Sequence, residues 1–468
     1  MNGFLFFLGL LAPPLIGYGL LDFFPSFRSL HWASRLGLAG CLGALLLCAE
    51  MLLLTSLHVP WSVWLLLVPA VLLPIRRRRP RAHPEAVERK IRDGIPALML
   101  IVLTLAAATY AAGTGRATST DLLFFWGAKG QRFAQARSID VGFLKDPAHL
   151  LMHSDYPPML PCLYAWSALV AGKFAWGAAL LSLPVFLTLA VLTFYGFARR
   201  ALKVREALEQ ASLLAALLAF VMIAGYTAGN AEPLLVYFEV TALSALIFAA
   251  DRREGIPAAA LALAGAALTK VEGIVFAALV AAGAILFIGS ARRWRCLVLL
   301  AGAPALALGA WVLFCRFHGF HEVYALHSIS RPTLAHLSAV LAQVGHQASY
   351  GFWFVPWIAV FILSLPGKLT RASLLALTVA VGFTAFILYA YLTSSANPHL
   401  WIGWSASRVL ITPLVCLFFF ATARVTAVGA APDASASKST DGTLGGTGSL
   451  EAILGGADGH GEGDLTPA

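Results

Sequence analysis

The chain has 468 residues, of which 59% are hydrophobic and only 12% are charged. Soluble domains are roughly 45–50% apolar and about 25% charged, so this composition excludes a soluble globular protein and a disordered chain. The net charge is +10, but the basic residues cluster between apolar runs, as they do in the cytoplasmic loops of membrane proteins. We therefore expect membrane lipids as partners and no nucleic acid.

Continuous apolar runs predict an all-α fold, a polytopic transmembrane helical bundle with about thirteen spans. A helix needs about 20 apolar residues to cross the bilayer, and runs without alternation exclude an outer-membrane barrel. The predicted spans are residues 3–24, 36–57, 61–75, 94–113, 175–198, 211–228, 234–250, 256–270, 273–290, 296–315, 346–365, 372–392 and 406–424.

The basic clusters predict the sidedness of these spans. If Arg76–Arg79 lies in the cytoplasm, Arg199–Arg200, Arg252–Arg253 and Arg292–Arg293 fall on the same side, as the positive-inside rule requires. This predicts an extracytoplasmic N-terminus and a cytoplasmic C-terminus in a bacterial inner membrane.

Three regions follow from the same pattern. Residues 1–93 hold N-terminal spans and a basic cytoplasmic loop. Residues 94–424 form a transmembrane core whose extracytoplasmic loop covers 113–173. Residues 425–468 are rich in Gly, Ala, Ser, Thr and Asp, and we expect this tail to be disordered because it can bury little apolar surface.

The loop 113–173 carries the most informative residues. Asp121 follows a span after a short Gly/Ser/Thr segment, and ionisable residues near the hydrocarbon are costly and usually functional. Its role is either catalytic or that of an N-cap for the next helix. Leu122–Ala136 has the pattern of an amphipathic helix lying in the membrane interface. Pro157 and Pro158 suit a helix start, which predicts a second interfacial helix over Met159–Val170.

Other charged residues fall on the same side of the membrane by topology. Glu232 lies in a turn, Lys270 and Glu272 lie in the turn LTKVEG, and Arg408 begins the last span. Cations there can bind a lipid phosphate, and a carboxylate can accept a proton from a hydroxyl. The alternative is a set of snorkelling side chains and interfacial ion pairs. For Glu239, inside a span, we expect a hydrogen bond between helices.

A metal site is weakly indicated. His149 and His153 are spaced four residues apart, with Asp155 nearby, so the two imidazoles would share a face if the segment were helical. The spacing is common, and a divalent cation is therefore only a candidate cofactor. His318, His321 and His327 are similarly ambiguous. Neither the P-loop nor the dinucleotide-binding fingerprint occurs.

The order of these motifs resembles the GT-C superfamily of integral-membrane glycosyltransferases, which includes protein O-mannosyltransferases, the aminoarabinose transferase of lipid A and relatives of rhizobial lipopolysaccharide transferases. Residues 94–420 carry the resemblance. The matching features, in chain order, are Asp121 after a span, the helix with Trp126 and Lys129, the segment Asp155-Tyr156-Pro157-Pro158, the Lys270 turn and the final Arg408. This chain departs from the family pattern at one point, because Asp121 is not followed by the second acidic residue of the family's Asp-Glu pair.

The resemblance implies transfer of a sugar, with inversion, from a polyprenyl-phosphate donor to an extracytoplasmic glycan, lipid or protein acceptor. Asp121 would be the general base, and Lys270 and Arg408 would hold the leaving phosphate. Asp155 or Glu232 would orient the sugar or help to hold a divalent cation. The implied substrate-binding residues are Lys129, Asp155, Tyr156, Glu232, Lys270, Glu272 and Arg408. The alternative is a polytopic transporter or flippase for a glycoconjugate.

Overall fold

The computed structural model describes residues 1–72, 95–113 apart from 97, 101, 105, 107–108 and 111–112, 119–149 apart from 147, 153–288, 293–320, 336–349, 354–394 and 397–429. Within these ranges the chain is all helical and forms no strand. The predicted loop containing Arg76–Arg79, the boundary at residue 93 and tail residues 430–468 lie outside the described residues.

The helices of ten or more residues are named α1 to α16 in chain order. Their bounds are α1 Asn2–Leu20, α2 Trp32–Ser56, α3 Val63–Leu72, α4 Gly127–Ala136, α5 Met159–Ala171, α6 Ser182–Ala198, α7 Val204–Ala224, α8 Glu232–Ala249, α9 Gly255–Ala267, α10 Val271–Phe287, α11 Gly302–His318, α12 Leu337–Ser349, α13 Phe354–Ser364, α14 Arg371–Thr393, α15 Pro398–Val409 and α16 Ile411–Gly429.

Among the described residues, eight helical stretches are long and apolar enough to cross a membrane, or nine if α12 and α13 together form one span. Eight predicted spans coincide with them, but the count of thirteen is not confirmed. The segments predicted as 256–270 and 273–290 are α9 and α10, with 13 and 17 residues. A helix of 13 residues is about 20 Å long, which is shorter than the roughly 30 Å hydrocarbon core.

Helix α8 lies at the centre of the bundle. Its span is 94% buried, and it packs against α6, α9 and α16. The Tyr237 hydroxyl donates a hydrogen bond to the Gly37 carbonyl of α2. Close packing of α1 on α2 requires glycine, because a Cβ at Gly17 would overlap the Ala39 carbonyl. Small residues allow such close approach between membrane helices.

Contacts between loops join the ends of several helices, while the side of the membrane on which these loops lie stays a prediction. Arg200 forms a salt bridge of 2.7 Å with Glu254, so the α6–α7 and α8–α9 connections meet at one end of the bundle. Arg424 near the end of α16 donates a hydrogen bond of 2.8 Å to the Gly367 carbonyl. The residues of the candidate site described below lie at the opposite ends of the same helices.

The first polar loop contains both predicted helices. The segment Leu122–Ala136 is a π-helical turn, Leu122–Trp126, followed by α4. The second helix begins at Met159, as the two prolines suggest. Of the 13 residues of α5, 11 are buried, and the helix packs against α1 and α4. Its position at the membrane interface stays a prediction.

Candidate functional site

Asp121 lies in the first turn of its helix and forms a salt bridge with Arg408. Its own side chain makes no capping hydrogen bond, and its backbone is already helical. The amide of Leu122 instead donates a hydrogen bond of 3.3 Å to Ser119 Oγ. Ser119 Oγ also donates a hydrogen bond of 2.6 Å to Asn230 Oδ1. The N-cap role considered for Asp121 is therefore wrong, because Ser119 caps this helix.

The turn before α8 fixes the position of Asp121 relative to the bundle. Gly229 has φ +82°, a left-handed conformation that glycine adopts readily. A Cβ there would lie 2.7 Å from Leu122 Cδ2, so the turn packs directly against the residue after Asp121. The Gly229 carbonyl accepts a hydrogen bond of 2.8 Å from Tyr164 of α5. Sequence reasoning did not single out Gly229 or Tyr164, because these contacts join distant segments.

Lys270 and Arg408 share a buried carboxylate. Lys270 Nζ lies 2.9 Å from Glu232 Oε1, and Arg408 Nη1 lies 3.8 Å from the same oxygen. Lys270 Nζ also lies 2.9 Å from Glu272 Oε1. Glu232 begins α8 and Lys270 precedes α10, so the ends of three separate helices supply these groups. The structure thus brings together five of the predicted site residues in one ion-pair network.

We name this set of ion pairs the Asp121–Lys270 network, after two of its members. The exposed fraction of the side chains differs across it. The Glu232 side chain is 5% exposed, whereas that of Asp121 is 33% exposed. With Asp121, Glu232 and Glu272 against Lys270 and Arg408, its formal charge is −1. Glu232 therefore anchors both cations inside the protein, and Asp121 is the carboxylate that a molecule from outside can reach.

A small cavity lies behind these ion pairs. Its volume is about 10 Å³, room for about one water molecule. It is lined by Glu232, Leu235, Val236, Lys270, Glu272, Arg408, Val409, Ile411 and Thr412. In the described part of the chain, Glu232 Oε2 and Glu272 Oε2 are buried without a hydrogen-bond partner. Because an unsatisfied buried acceptor is costly, this arrangement favours binding of a donor group.

Glu239 lies two helical turns along α8 from Glu232 and is fully buried. Thr412 Oγ1 of α16 donates a hydrogen bond of 2.7 Å to Glu239 Oε1. This contact joins two helices of the core, as the sequence prediction for Glu239 requires. It also lies directly beneath the ion pairs, since Thr412 lines the small cavity.

Lys129, Asp155 and Tyr156 form a second group along the same loop. Lys129 is 2% exposed, and its Nζ donates a hydrogen bond of 2.7 Å to the His153 carbonyl. The amine also lies 4.2 Å from the centre of the Phe125 ring. The rings of Phe125 and Tyr156 are 5.4 Å apart. Eight residues, or about 12 Å of helix, separate Lys129 from Asp121.

Burial lowers the pKa of two basic side chains in and beside this second group, Lys129 and His153. It lowers the pKa of Lys129 to about 7, and the charge of Asp155 opposes only part of that change. Burial and the nearby Lys129 charge lower the pKa of His153 to about 4. Lys129 therefore gains or loses its proton near neutral pH, whereas His153 is neutral there.

The predicted metal ligands do not come together. Among the described residues, no group of three or more His, Cys, Asp or Glu side chains could hold a metal ion. His149 lies in a short turn with Nδ1 3.1 Å from the Phe143 carbonyl oxygen, and His153 has φ +49°. The two imidazoles therefore do not share a helical face, and the described residues offer no cluster of ligands for a divalent cation.

Trp311 is a further contact that the sequence did not indicate. Its Nε1 donates a hydrogen bond of 2.8 Å to the Asp155 carbonyl. Trp311 lies in α11, inside a predicted span, where a tryptophan is as typical of lipid contact as of an internal hydrogen bond. The sequence alone does not distinguish a tryptophan that faces lipid from one that forms a hydrogen bond inside the protein.

Comparisons with known protein families, with curated proteins and with solved structures find no match. The chain is therefore assigned to no family, and its function is argued from its own residues.

Proposed function

We propose that the protein is a membrane glycosyltransferase that transfers a sugar from a polyprenyl-phosphate donor to an acceptor outside the cytoplasm. One observation carries this proposal. Asp121, an accessible carboxylate, contacts Arg408, and Arg408 shares Glu232 with Lys270. A base and two phosphate-binding cations within one network are the groups that this reaction needs.

The proposed step forms one bond and breaks one. The acceptor hydroxyl oxygen attacks the anomeric carbon of the donor, and the bond from that carbon to the phosphate oxygen breaks. Asp121 takes the hydroxyl proton. The electron pair leaves with the polyprenyl phosphate, whose negative charge Lys270 and Arg408 stabilise. Attack opposite the leaving group inverts the anomeric centre.

The salt bridges couple donor binding to activation of Asp121. Arg408 holds Asp121 and lies near Glu232. A phosphate that pairs with Arg408 replaces Asp121, because guanidinium groups bind phosphate through two parallel hydrogen bonds. The carboxylate of Asp121 is then released next to the donor. We propose no metal in this step, since the described residues do not gather ligands for one.

Glu239 supports the second candidate, a transporter or flippase for a glycoconjugate. A buried carboxylate within a span is a common feature of transport pathways. Its hydrogen bond with Thr412 gives it a simpler role in joining α8 to α16. A transporter would move the lipid-linked sugar across the bilayer and leave its glycosidic bond intact, which separates the two candidates by chemistry.

The test compares Asp121→Asn with Asp22→Asn in isolated membranes. Asp22 is a matched control, since it pairs with Arg35 at 2.6 Å and its side chain is 34% exposed, against 33% for Asp121. Transfer from a polyprenyl-phosphate sugar to acceptor is followed by release of polyprenyl phosphate. We expect a loss of about 100- to 10,000-fold for Asp121→Asn alone.

Two outcomes oppose the proposal. Equal transfer by Asp121→Asn and the wild type would eliminate Asp121 as the base. Translocation of the intact donor in proteoliposomes, without release of polyprenyl phosphate, would identify a transporter. Protein amount and melting temperature are measured in each variant, so that loss of folding is recognised separately.

A further inference from the structure

A second cleft lies at the far end of helix α4 from Asp121. Its volume is about 440 Å³, within the range of about 300–1,000 Å³ typical of small-molecule sites. Its lining residues are Thr55, His58, Val59, Pro60, Ala136, Arg137, Ser138, Ile139, Asp140, Val141 and His318. We name it the Arg137 cleft. Sixteen residues, or about 24 Å of helix, separate Arg137 from Asp121, so the cleft is distinct from the ion-pair network.

The walls of the Arg137 cleft are joined by hydrogen bonds between distant segments. The Trp61 amide donates a hydrogen bond of 2.7 Å to the Arg137 carbonyl. The Ile139 amide donates one of 3.1 Å to Thr55 Oγ1, and that hydroxyl donates one of 2.8 Å to the Met51 carbonyl. Trp61 itself is fully buried. These hydrogen bonds fix the segments that line the cleft relative to one another.

Two lining residues adopt an uncommon backbone conformation. His58 has φ +56° and Arg137 has φ +50°, values at which residues with a Cβ are disfavoured. Such conformations concentrate at ligand-binding sites, where the surrounding structure maintains them. Glycine or asparagine would adopt this backbone conformation more readily. The two positions instead hold an arginine and a histidine, whose side chains can bind an anion.

The charge of the Arg137 cleft favours an anion. Among the described residues that line it, Asp140 carries the one carboxylate. That carboxylate is already engaged, with Arg132 Nε at 2.7 Å and the Phe143 amide at 3.0 Å. Arg137 is exposed. Its guanidinium therefore has no unengaged carboxylate among the described residues that line the cleft.

The position of the Arg137 cleft indicates where its ligand comes from. Thr55 is at the end of the span Trp32–Ser56, and His318 ends the span Arg293–His318. The neighbouring Leu57 and Phe317 side chains are 61% and 84% exposed. The ends of apolar spans lie beside the polar headgroups of a bilayer. The cleft therefore opens at the depth of lipid phosphates.

We propose that the Arg137 cleft binds an anionic phosphate monoester, with Arg137 and His58 contacting its oxygens. Arginine pairs with phosphate through two parallel hydrogen bonds, and the cleft has room for a phosphate and the polyol or sugar attached to it. This site does not depend on glycosyl transfer at Asp121. Its ligand is either lipid-borne or soluble, and the two sources share the phosphate monoester.

The test uses the full-length protein purified in detergent, with binding measured by native mass spectrometry and by the shift in melting temperature. Three probes are compared: dioctanoyl phosphatidic acid, the zwitterionic dioctanoyl phosphatidylcholine, and glycerol 3-phosphate. The main variant is Arg137→Gly, which removes the guanidinium and suits the left-handed backbone. Arg205→Gln is the control, because Arg205 is an exposed arginine paired with Glu209 within helix α7.

We expect phosphatidic acid to bind more tightly than phosphatidylcholine, and Arg137→Gly to weaken that binding by about 10- to 100-fold. Arg205→Gln should bind as the wild type does. Binding of glycerol 3-phosphate that also depends on Arg137 supports the site and assigns it to soluble phosphate esters. Equal binding of phosphatidic acid by the wild type and Arg137→Gly, or no preference over phosphatidylcholine, would overturn the proposal. None of these readouts involves transfer activity.

Discussion

Arg408 forms a salt bridge with Asp121, although 287 positions separate the two residues in the chain. Asp121 follows a short polar segment near the start of the core, and Arg408 lies near the end of α15. Their contact joins the first polar loop to α15. In the proposed reaction, a phosphate that pairs with Arg408 would release the Asp121 carboxylate.

The first prediction concerns the two cations of the Asp121–Lys270 network. Lys270→Met and Arg408→Met should each lower the rate of donor use by roughly 30- to 1000-fold, because each removes a charge that stabilises the leaving phosphate. Glu232 contacts both cations, so either variant leaves it one cationic partner and should fold. Initial rates at varied donor concentration provide the measurement.

Arg35→Met is the matched control for Arg408→Met. Both arginine side chains are 18% exposed, and both pair with an aspartate that is about one-third exposed. Arg35→Met should therefore reproduce the structural cost of losing such a pair without the loss of rate. If both arginine variants lose activity equally, Arg408 acts through stability rather than through the phosphate.

The second prediction concerns the pH dependence of stability. The folded protein binds a proton at Lys129 only below about pH 7, whereas an unfolded lysine does so up to about pH 10.4. Between these values the unfolded chain binds more protons, so stability rises with pH across this window. Below it, the folded state carries the full cost of a buried ammonium group.

Lys129→Met removes this cost. The variant should be more stable than the wild type at pH 6, by roughly 2–4 kcal/mol, and its advantage should shrink as the pH rises from 7 to 10. Melting temperatures of both proteins in the same detergent, measured at several pH values, give the comparison. A constant difference across this range would mean that Lys129 has no lowered pKa.

The third prediction compares two glycines. Gly229 and Gly172 both have positive φ, +82° and +76°. A Cβ at Gly229 would lie 2.7 Å from Leu122 Cδ2, whereas a Cβ at Gly172 would have nothing within 4 Å. Both alanine variants should lose about 1–2 kcal/mol of stability from backbone strain. Gly229→Ala should in addition displace Leu122 and lower transfer activity.

Thermal melting and transfer assays on both glycine variants separate strain from displacement. Similar activity in Gly172→Ala and Gly229→Ala would show that the contact with Leu122 does not position Asp121. Restored activity in Gly229→Ala combined with Leu122→Ala would support the clash as the cause.

Charge patterning anticipated which polar residues share one end of the bundle. The sidedness of basic loops was sufficient to place Glu232, Lys270 and Arg408 near Asp121, because each hydrophobic span reverses the side of the chain. The same reasoning could not count the spans, since α9 and α10 are apolar yet short. Nor did it indicate that α5 is buried against α1 and α4.

Composition and periodicity by themselves were sufficient to predict an all-helical membrane protein. Long continuous apolar runs can form all their backbone hydrogen bonds in lipid only as helices. Only the tertiary structure decided which side chains meet. Ser119 rather than Asp121 caps the helix, Lys129 is buried against His153, and Arg408 pairs with Asp121. Such contacts depend on helix rotation and on loop geometry. Hydropathy cannot specify them, because it describes only whether a residue avoids water.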